Sequence, residues 1–209
     1  MISKKPPKSF GGINKQKPLL VVLSGPSGTG KSTIVEKLLK KDRRFYESVS
    51  ATTRTRRRGE KEGRDYFFLT EGEFRNKKRR GEFIETAEVF HESYGTPKDS
   101  VLKALEQKRV VLFDIDVQGG MSIRKWRKDA VLIFILPPSL EELKRRLVNR
   151  KTESREAIGV RLGRALKEIR FWSKYDYVVC NKDLRETVEL VWHIIKAESQ
   201  RTSRSRQLL

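Results

Sequence analysis

Residues 19–32 read LLVVLSGPSGTGKS, and this stretch decides the fold. It opens with a continuous apolar run from Leu19 to Ser24, which is typical of a strand buried on both faces of a parallel sheet. A glycine-rich turn follows at once, and apolar residues at helical spacing begin at Ile34. The order strand, glycine-rich turn, helix predicts a phosphate-binding loop at the carboxyl edge of a sheet.

The turn matches the pattern G-x-x-x-x-G-K-[ST] between Gly25 and Ser32. Glycines let the backbone curl with its amide hydrogens inward, and the following helix adds its positive dipole end. Lys31 is placed to bridge the β- and γ-phosphates of a nucleoside triphosphate, and the Ser32 hydroxyl to bind Mg²⁺. The alternative is a glycine-rich turn without a ligand. The residues predicted to bind ATP here are Gly25, Pro26, Ser27, Gly28, Thr29, Gly30, Lys31, Ser32 and Thr33.

Composition predicts one folded core. The chain has 209 residues, 36% hydrophobic and 35% charged, and no apolar run approaches the roughly 20 residues that cross a bilayer. Residues 1–17 contain no hydrophobic stretch of the secretory kind. We therefore expect a cytoplasmic protein with no membrane partner, and we expect the single cysteine, Cys180, to be a buried structural thiol.

Positive charge is the strongest compositional bias. The 47 basic and 27 acidic residues give a net charge of +20, which indicates an anionic partner without choosing among nucleotides, nucleic acid and acidic membranes. The first 17 residues carry five lysines and the last ten carry three arginines, with no acid in either segment. We expect residues 1–17 to form a disordered extension and residues 200–209 a basic tail.

Further apolar runs alternate with amphipathic helices. Strands are predicted at 110–116, 131–136 and 177–181, and the alternation predicts an α/β fold with a parallel sheet flanked by helices. Residues 50–96 interrupt this alternation of strands and helices with short strand-like runs mixed with polar residues. We expect this region to be a small, mostly β insertion.

Several motifs then follow in order: SATTRTRRRGE at 50–60, GRDYFF at 63–68, FIETAEVF at 83–90, YGT at 94–96 and DIDVQG at 114–119. With the phosphate loop, the series resembles the guanylate kinase family from about Pro18 to Glu198. The resemblance implies a P-loop kinase domain over 18–199, with a GMP-binding insertion at about 50–96 and a helical lid at about 150–161. It also implies transfer of a phosphoryl group from ATP to GMP, and to dGMP, with Mg²⁺ as cofactor.

The residues themselves agree with a guanine acceptor. Guanine shows an acceptor at O6 beside donors at N1 and the 2-amino group, so its reader needs a donor next to a carboxylate, and Ser50 and Glu85 have these properties. Simpler interpretations stay open: a glutamate on a mixed strand is usually solvent-facing, residues 54–58 could form a solvated basic loop, and Tyr66 and Tyr94 could be ordinary packing at the rim of a small sheet. The resemblance adds further acceptor-site residues, namely Thr96 and Asp114 at the base, and Arg54, Arg57, Tyr66 and Tyr94 at the GMP phosphate.

Asp114 and Asp116 end an apolar strand and, being two residues apart, point to the same face. They would lie beside the phosphate loop, at the point where the strand order of the sheet reverses, which is where such sheets bind ligands. We expect Asp114 to organise Mg²⁺ through water and Asp116 to orient groups of the acceptor site. For Asp116 an N-cap of the helix beginning at Val117 stays open as the alternative.

Phosphoryl transfer between two anions requires positioning and charge neutralisation, so we assign no covalent nucleophile. By resemblance, Arg146, Arg150 and Arg161 close over the transferring group, with Lys31 on the donor chain, and Asn181 contacts adenine. A solvated helix face is the alternative for Arg146.

The chain departs from the family pattern at two places. Arg56 and Arg58 replace the usual prolines, so the arginine that grips phosphate is assigned by position only. Asn149 and Lys151 replace the glycines that usually flank Arg150, and we expect slower lid closure from this change.

Three other functions are alternatives for this sequence. A non-enzymatic interaction domain of the same fold characteristically lacks an intact phosphate loop. A nucleic-acid-binding protein would use residues 54–58, residues 75–80 and both tails, but no recognised binding module accompanies them, which leaves weak non-specific affinity. A P-loop kinase for another acceptor would not need Ser50 and Glu85 together. The sequence leaves the oligomeric state open.

Overall fold

The computed structural model describes residues 17–89, 91–107, 109–148 and 155–204. The strands within these ranges are β1 Leu19–Ser24, β2 Phe45–Glu47, β3 Ala51–Thr52, β4 Phe67–Phe68, β5 Phe83–Val89, β6 Glu92–Pro97, β7 Val110–Asp114, β8 Val131–Leu136 and β9 Tyr177–Cys180. The helices are α1 Lys31–Lys41, α2 Glu71–Arg79, α3 Lys98–Glu106, α4 Val117–Trp126, α5 Leu140–Val148, α6 Arg155–Ile169 and α7 Leu184–Ser199.

The main sheet has the strand order β2-β7-β1-β8-β9, and its pairs are parallel. β1 lies at the centre, and the side chains from Leu19 to Leu23 are at most 2% exposed. They alternate between two apolar clusters, one containing Leu19, Val21 and Leu23 and the other Leu20 and Val22. A strand buried on both faces needs apolar residues at every position, so the continuous apolar run is confirmed as the centre of an α/β sheet.

The second sheet has the order β4-β3-β6-β5 and lies within the expected β insertion and its immediate border. β6 pairs antiparallel with both β3 and β5. The helix α2, which the sequence did not predict, packs Phe74 against Phe83 of β5 with ring centroids 4.7 Å apart. Its first turn carries a capping box between Thr70 and Glu73. The insertion therefore has its own small core.

Two boundaries and one burial prediction differ from the sequence expectation. β7 ends at Asp114, two residues earlier than predicted, because Asp116 already caps α4. β9 ends at Cys180, and the prediction that this thiol is buried is wrong, since Cys180 is exposed. β9 is an edge strand whose residues alternate, with Val179 buried and Val178 exposed, and Cys180 shares the exposed side.

The described part of the basic C-terminal tail packs against the rest of the protein. Thr202–Arg204 forms a 3-10 turn, and Arg204 is only 5% exposed. The Arg204 guanidinium donates to the Asp129 carbonyl and lies 3.7 Å from Oε2 of the buried Glu198. The Lys17 backbone N–H donates to the Arg204 carbonyl at 3.0 Å, so the start of the described chain joins this contact. The rest of both expected tails, 1–16 and 205–209, lies outside the described residues.

The expected lid falls partly outside the structure, because 149–154, including Arg150, are not among the described residues. Among the helices of the described ranges, none is both long and apolar enough to cross a bilayer.

We predict that Arg204→Met destabilises the fold by about 3 kcal/mol, because it removes a buried positive charge from the buried Glu198. Of the two arginines that pair with Glu198 in the described contacts, only Arg204 is itself buried. Urea unfolding would measure the change. Arg201→Met is the matched control, since Arg201 pairs with the same carboxylate but is 64% exposed, and it should cost under about 1 kcal/mol. Equal costs for the two variants would contradict the anchoring role of Arg204.

Candidate active site

The phosphate loop joins β1 to α1 and depends on glycine at specific positions. Gly25, Gly28 and Gly30 have φ angles of 143°, 91° and 93°, which side chains rarely adopt. A Cβ on Gly25 would lie 2.2 Å from the Ile135 carbonyl oxygen, and one on Gly30 would lie 2.6 Å from Nδ2 of Asn181. The loop therefore keeps its curl only while these positions lack side chains.

Lys31 and Ser32, the first residues of α1, both reach across the site. The Lys31 ammonium donates to the carbonyls of Gly25 at 2.7 Å and Pro26 at 3.2 Å, so it lies over the curled loop. The Ser32 hydroxyl donates to Oδ2 of Asp114 at the end of β7. The parallel pairing of β1 with β7 brings these groups together, since both strands end at the same edge. The structure thus places the two predicted magnesium-site residues in contact.

Asn181, the first residue after β9, supports the phosphate loop. Its side chain is 4% exposed, and Nδ2 donates to the Thr29 carbonyl at 2.8 Å. The guanidinium of Arg146 on α5 donates to the Asn181 carbonyl at 3.2 Å and to Glu142 at 2.7 Å. Bracing of the loop by Asn181 was not predicted from the sequence, and its contact with adenine stays a prediction.

Glu85 and Thr96 lie together in the second sheet, and Ser50 directly precedes β3 of the same sheet. Ala51 and Thr86 both pair with Gly95, the residue before Thr96, and the register of β5 against β6 shifts between Phe83 and Thr86. The Thr96 hydroxyl donates to Oε1 of Glu85 at 2.6 Å, and these two residues are 0% and 7% exposed. Glu85 is therefore buried and hydrogen-bonded, which excludes the interpretation that its side chain faces solvent.

Burial controls the charge of this carboxyl group. It raises the pKa of Glu85 to about 7, the hydrogen bond from Thr96 opposes the rise, and the nearby Asp116 adds to it. A carboxyl group with this pKa changes charge near neutral pH. It can therefore meet a purine edge either as an acceptor or, once protonated, as a donor.

Arg54, Tyr66 and Tyr94 form a second group in the insertion. The Arg54 guanidinium lies 5.3 Å from the Tyr66 ring centroid, and the rings of Tyr66 and Tyr94 are 5.9 Å apart. Burial raises the pKa of Tyr66 to about 12, so its phenol stays a hydrogen-bond donor. Glu60, which the sequence did not single out, binds the Arg54 side chain at 2.7 Å and the Arg57 backbone N–H at 2.8 Å. The Arg57 side chain is exposed.

Asp116 is the N-cap of α4, the alternative that the sequence left open. Its Oδ1 accepts from the Gly119 N–H at 2.9 Å, and its Oδ2 accepts from Arg164 on α6 at 3.2 Å. Its negative charge is also close enough to Glu85 to raise the pKa of that carboxyl group. Arg161, on the same helix as Arg164, donates to the Ser27 hydroxyl of the phosphate loop.

Glu47 lies near Asp114, and the sequence did not single it out. It ends β2, whose neighbour β7 carries Asp114. Burial raises the pKa of Glu47 to about 7, and Asp114 and Asp65 raise it further. No local pattern marks this residue, because its position depends on the order of strands in the sheet.

A metal here would need few protein ligands. The described residues contain no cluster of three or more His, Cys, Asp or Glu side chains suited to an ion. Magnesium in nucleotide enzymes keeps several waters and phosphate oxygens and takes only one or two protein groups. The Ser32 hydroxyl against the Asp114 carboxylate fits that demand.

The parallel sheet, the glycine loop and the lysine at the head of α1 define a P-loop nucleotide-binding protein of the kinase type. A model of the guanylate kinase family matches residues 16–198. The guanylate kinase of Clostridium tetani is 44% identical over 189 residues, covering 90% of both chains, and that of Cereibacter sphaeroides is 49% identical over 193 residues, covering 91% and 92%. The crystal structure of guanylate kinase from Anaplasma phagocytophilum is 36% identical, covers 94% of both chains and superposes with a TM-score of 0.79. The chain belongs to the guanylate kinase family.

We predict that Gly30→Ala lowers ATP affinity by at least about tenfold, because the new Cβ meets Asn181 and the backbone is held at positive φ. Calorimetric titration with ATP would measure it. Gly72→Ala on α2 is the control, since its Cβ would have no atom within 4 Å, and ATP affinity should change less than about twofold. Unchanged ATP binding by Gly30→Ala would contradict the geometry of the loop.

The raised pKa of Glu85 predicts a pH-dependent stability. The folded protein binds the proton more tightly than the unfolded chain, so the free energy of unfolding falls as pH rises from about 4.5 and levels off above about 7. Relative to Glu85→Gln, the wild type should lose about 3 kcal/mol between pH 5 and pH 8, measured by urea unfolding. A difference between the two proteins that does not vary with pH would contradict this assignment.

Proposed function

We propose that this protein is a guanylate kinase, which transfers the γ-phosphoryl group of ATP to GMP and yields ADP and GDP for purine nucleotide metabolism, with dGMP as a further acceptor. One observation carries the proposal. The fold holds both a phosphate loop with Lys31 and a buried carboxyl group and hydroxyl, those of Glu85 and Thr96. Asp116 is close to both: its carbonyl accepts from Ser24, which precedes the loop, and its charge raises the pKa of Glu85.

The side chains of Ser50, Thr96 and Glu85 have the chemistry that the edge of guanine requires. An ionised Glu85 accepts from N1 and the 2-amino group, while a hydroxyl donates to O6. Adenine has an unprotonated N1, so it would set one acceptor against another in a buried site. Such mispairing gives discrimination of about 10⁴ or more.

The group formed by Arg54, Tyr66 and Tyr94 suits the phosphate of GMP. The guanidinium supplies charge, and the two phenols add donors without adding further positive charge. We assign Arg57 to the same phosphate, and its exposed side chain leaves it available to move there. Asp114 completes the base side.

The donor end is built from the phosphate loop, residues 25–33, and Asn181. Lys31 leaves the carbonyls of its own loop to meet the β- and γ-phosphates. Ser32, and Asp114 through water, would hold Mg²⁺. When bound, this ion neutralises charge on the phosphate oxygens.

Transfer requires no covalent intermediate. We propose that an oxygen of the GMP phosphate attacks in line while Lys31, Arg146, Arg150 and Arg161 neutralise the transferring group. The contact of Arg161 with Ser27 supports this placement of α6 over the loop. Closure of the lid would exclude water, which otherwise competes as the acceptor.

This function implies an organisation and a location. We propose a kinase domain at 18–199 with the GMP-binding insertion at about 50–96 and the lid at about 150–161, between a basic extension at 1–17 and a basic tail at 200–209. Its substrates are cytoplasmic metabolites, so we assign it to the cytoplasm. The basic segments would bind nucleic acid only weakly and in a salt-sensitive way.

The interaction-module alternative is not favoured. The residues that such a module can lose, Lys31 and Ser32, are present and held in a formed loop. The relatives with about 45% identity over most of the chain are guanylate kinases.

A coupled assay that measures ADP from ATP with GMP, AMP, UMP or CMP tests the function, and GMP should be strongly preferred. Glu85→Gln should lower kcat/KM for GMP by at least about 100-fold while KM for ATP changes less than about threefold. Glu88→Gln is the matched control on the same strand, because its side chain is 73% exposed, and it should leave both values unchanged. Equal losses for GMP and ATP in Glu85→Gln would count against the assignment of Glu85.

A further inference from the structure

Arg164 on α6 lies between two carboxylates and has no role in the site described so far. Its Nε is 2.8 Å from Oε1 of Glu168, and its Nη2 is 3.2 Å from Oδ2 of Asp116. The side chains of Arg164, Asp116 and Glu168 are 25%, 18% and 11% exposed. This is a partly buried pair of ionic contacts, for which geometry and charge matter more than on an open surface.

Asp116 connects this arginine to the base-reading carboxylate. The same carboxylate that accepts from Arg164 caps α4 through the Gly119 N–H. A Cβ on Gly119 would lie 3.3 Å from Oε2 of Glu85, so the first turn of α4 lies directly against that residue. A displacement of Asp116 would therefore move the backbone that packs on Glu85.

The same helix also contacts the donor side. Arg161 precedes Arg164 by three residues, so both lie on one face of α6. Arg161 meets Ser27 in the phosphate loop, and Arg164 meets Asp116 at the start of α4. One face of α6 therefore contacts both the donor loop and the acceptor side.

The charges around Arg164 indicate what its contacts with Asp116 and Glu168 do. Glu168 is buried beside Asp116, and Lys31 is near enough to interact with it. Burial raises the pKa of Glu168, and the hydrogen bond and charge of Arg164 oppose that rise. Without Arg164, the carboxylates of Asp116 and Glu168 would lose this neighbouring positive charge close to the place where an anionic acceptor binds.

We propose that Arg164 is a positioning residue for the acceptor nucleotide. It orients Asp116 on α4, neutralises Asp116 and Glu168, and so permits the phosphate dianion of GMP to bind while α6 stays over the site. This inference rests on the proposed function, because it concerns the acceptor of the same reaction.

Steady-state kinetics of Arg164→Met, with GMP and ATP varied in turn, tests the proposal. We expect kcat/KM for GMP to fall by about tenfold, with KM for ATP within about twofold, and circular dichroism should show that the variant is folded at the assay temperature. Arg164→Lys keeps the charge and should recover most of the loss. Lys167→Met is the matched control, since it removes the same charge from an exposed position on the same helix, and it should have no effect.

A double variant separates charge from packing. If Arg164 acts by neutralisation, Glu168→Gln added to Arg164→Met should restore part of the lost kcat/KM for GMP, because one uncompensated carboxylate is removed. A further loss in the double variant would overturn the proposal. So would equal effects on GMP and ATP in Arg164→Met, a loss in Lys167→Met of the same size, or no loss at all.

The wild-type protein keeps this test distinct from that of the proposed function. If it transfers no phosphoryl group from ATP to GMP, the proposed function and this inference fail together. If it is active and the Arg164 variants match it, only this inference fails.

Discussion

The close approach of the phosphate loop to the end of β8 is the constraint on which the rest of the site depends. At Gly25 the loop backbone runs so near the Ile135 carbonyl that a side chain has no room. The curl that this permits brings Lys31 over the loop and Ser32 to Asp114. The donor site is thus a property of backbone geometry at one edge of a parallel sheet, to which side chains add charge.

The site contains several carboxylates, and four of them have a hydrogen-bond or ion-pair partner among the described residues. Ser32 donates to Asp114, Thr96 donates to Glu85, and Arg164 binds Asp116 and Glu168. Such pairing matters because two anionic nucleotides have to meet in a site that itself contains acids.

Sequence reasoning predicted the central strands because a doubly covered strand requires apolar residues throughout, as at Leu19–Ser24. Its prediction for Cys180 was wrong and it made none for Arg204, because neighbouring elements decide how exposed these side chains are. Cys180 lies in an apolar run but on the edge strand β9, and Arg204 is a basic residue near the end of the chain but docks beside Glu198. Neither outcome has a local signal, since each depends on which element packs alongside.

The amino-acid sequence by itself determined the strand, glycine turn and helix of the phosphate loop, and its ordered motifs identified the family, because these are local patterns with local causes. Only the tertiary structure decided that Glu85 is buried against Thr96, that Asn181 braces Thr29, and that Arg164 joins α6 to Asp116. These contacts join residues distant in the chain. They depend on sheet order and register, which place side chains together without leaving a spacing that a linear pattern could show.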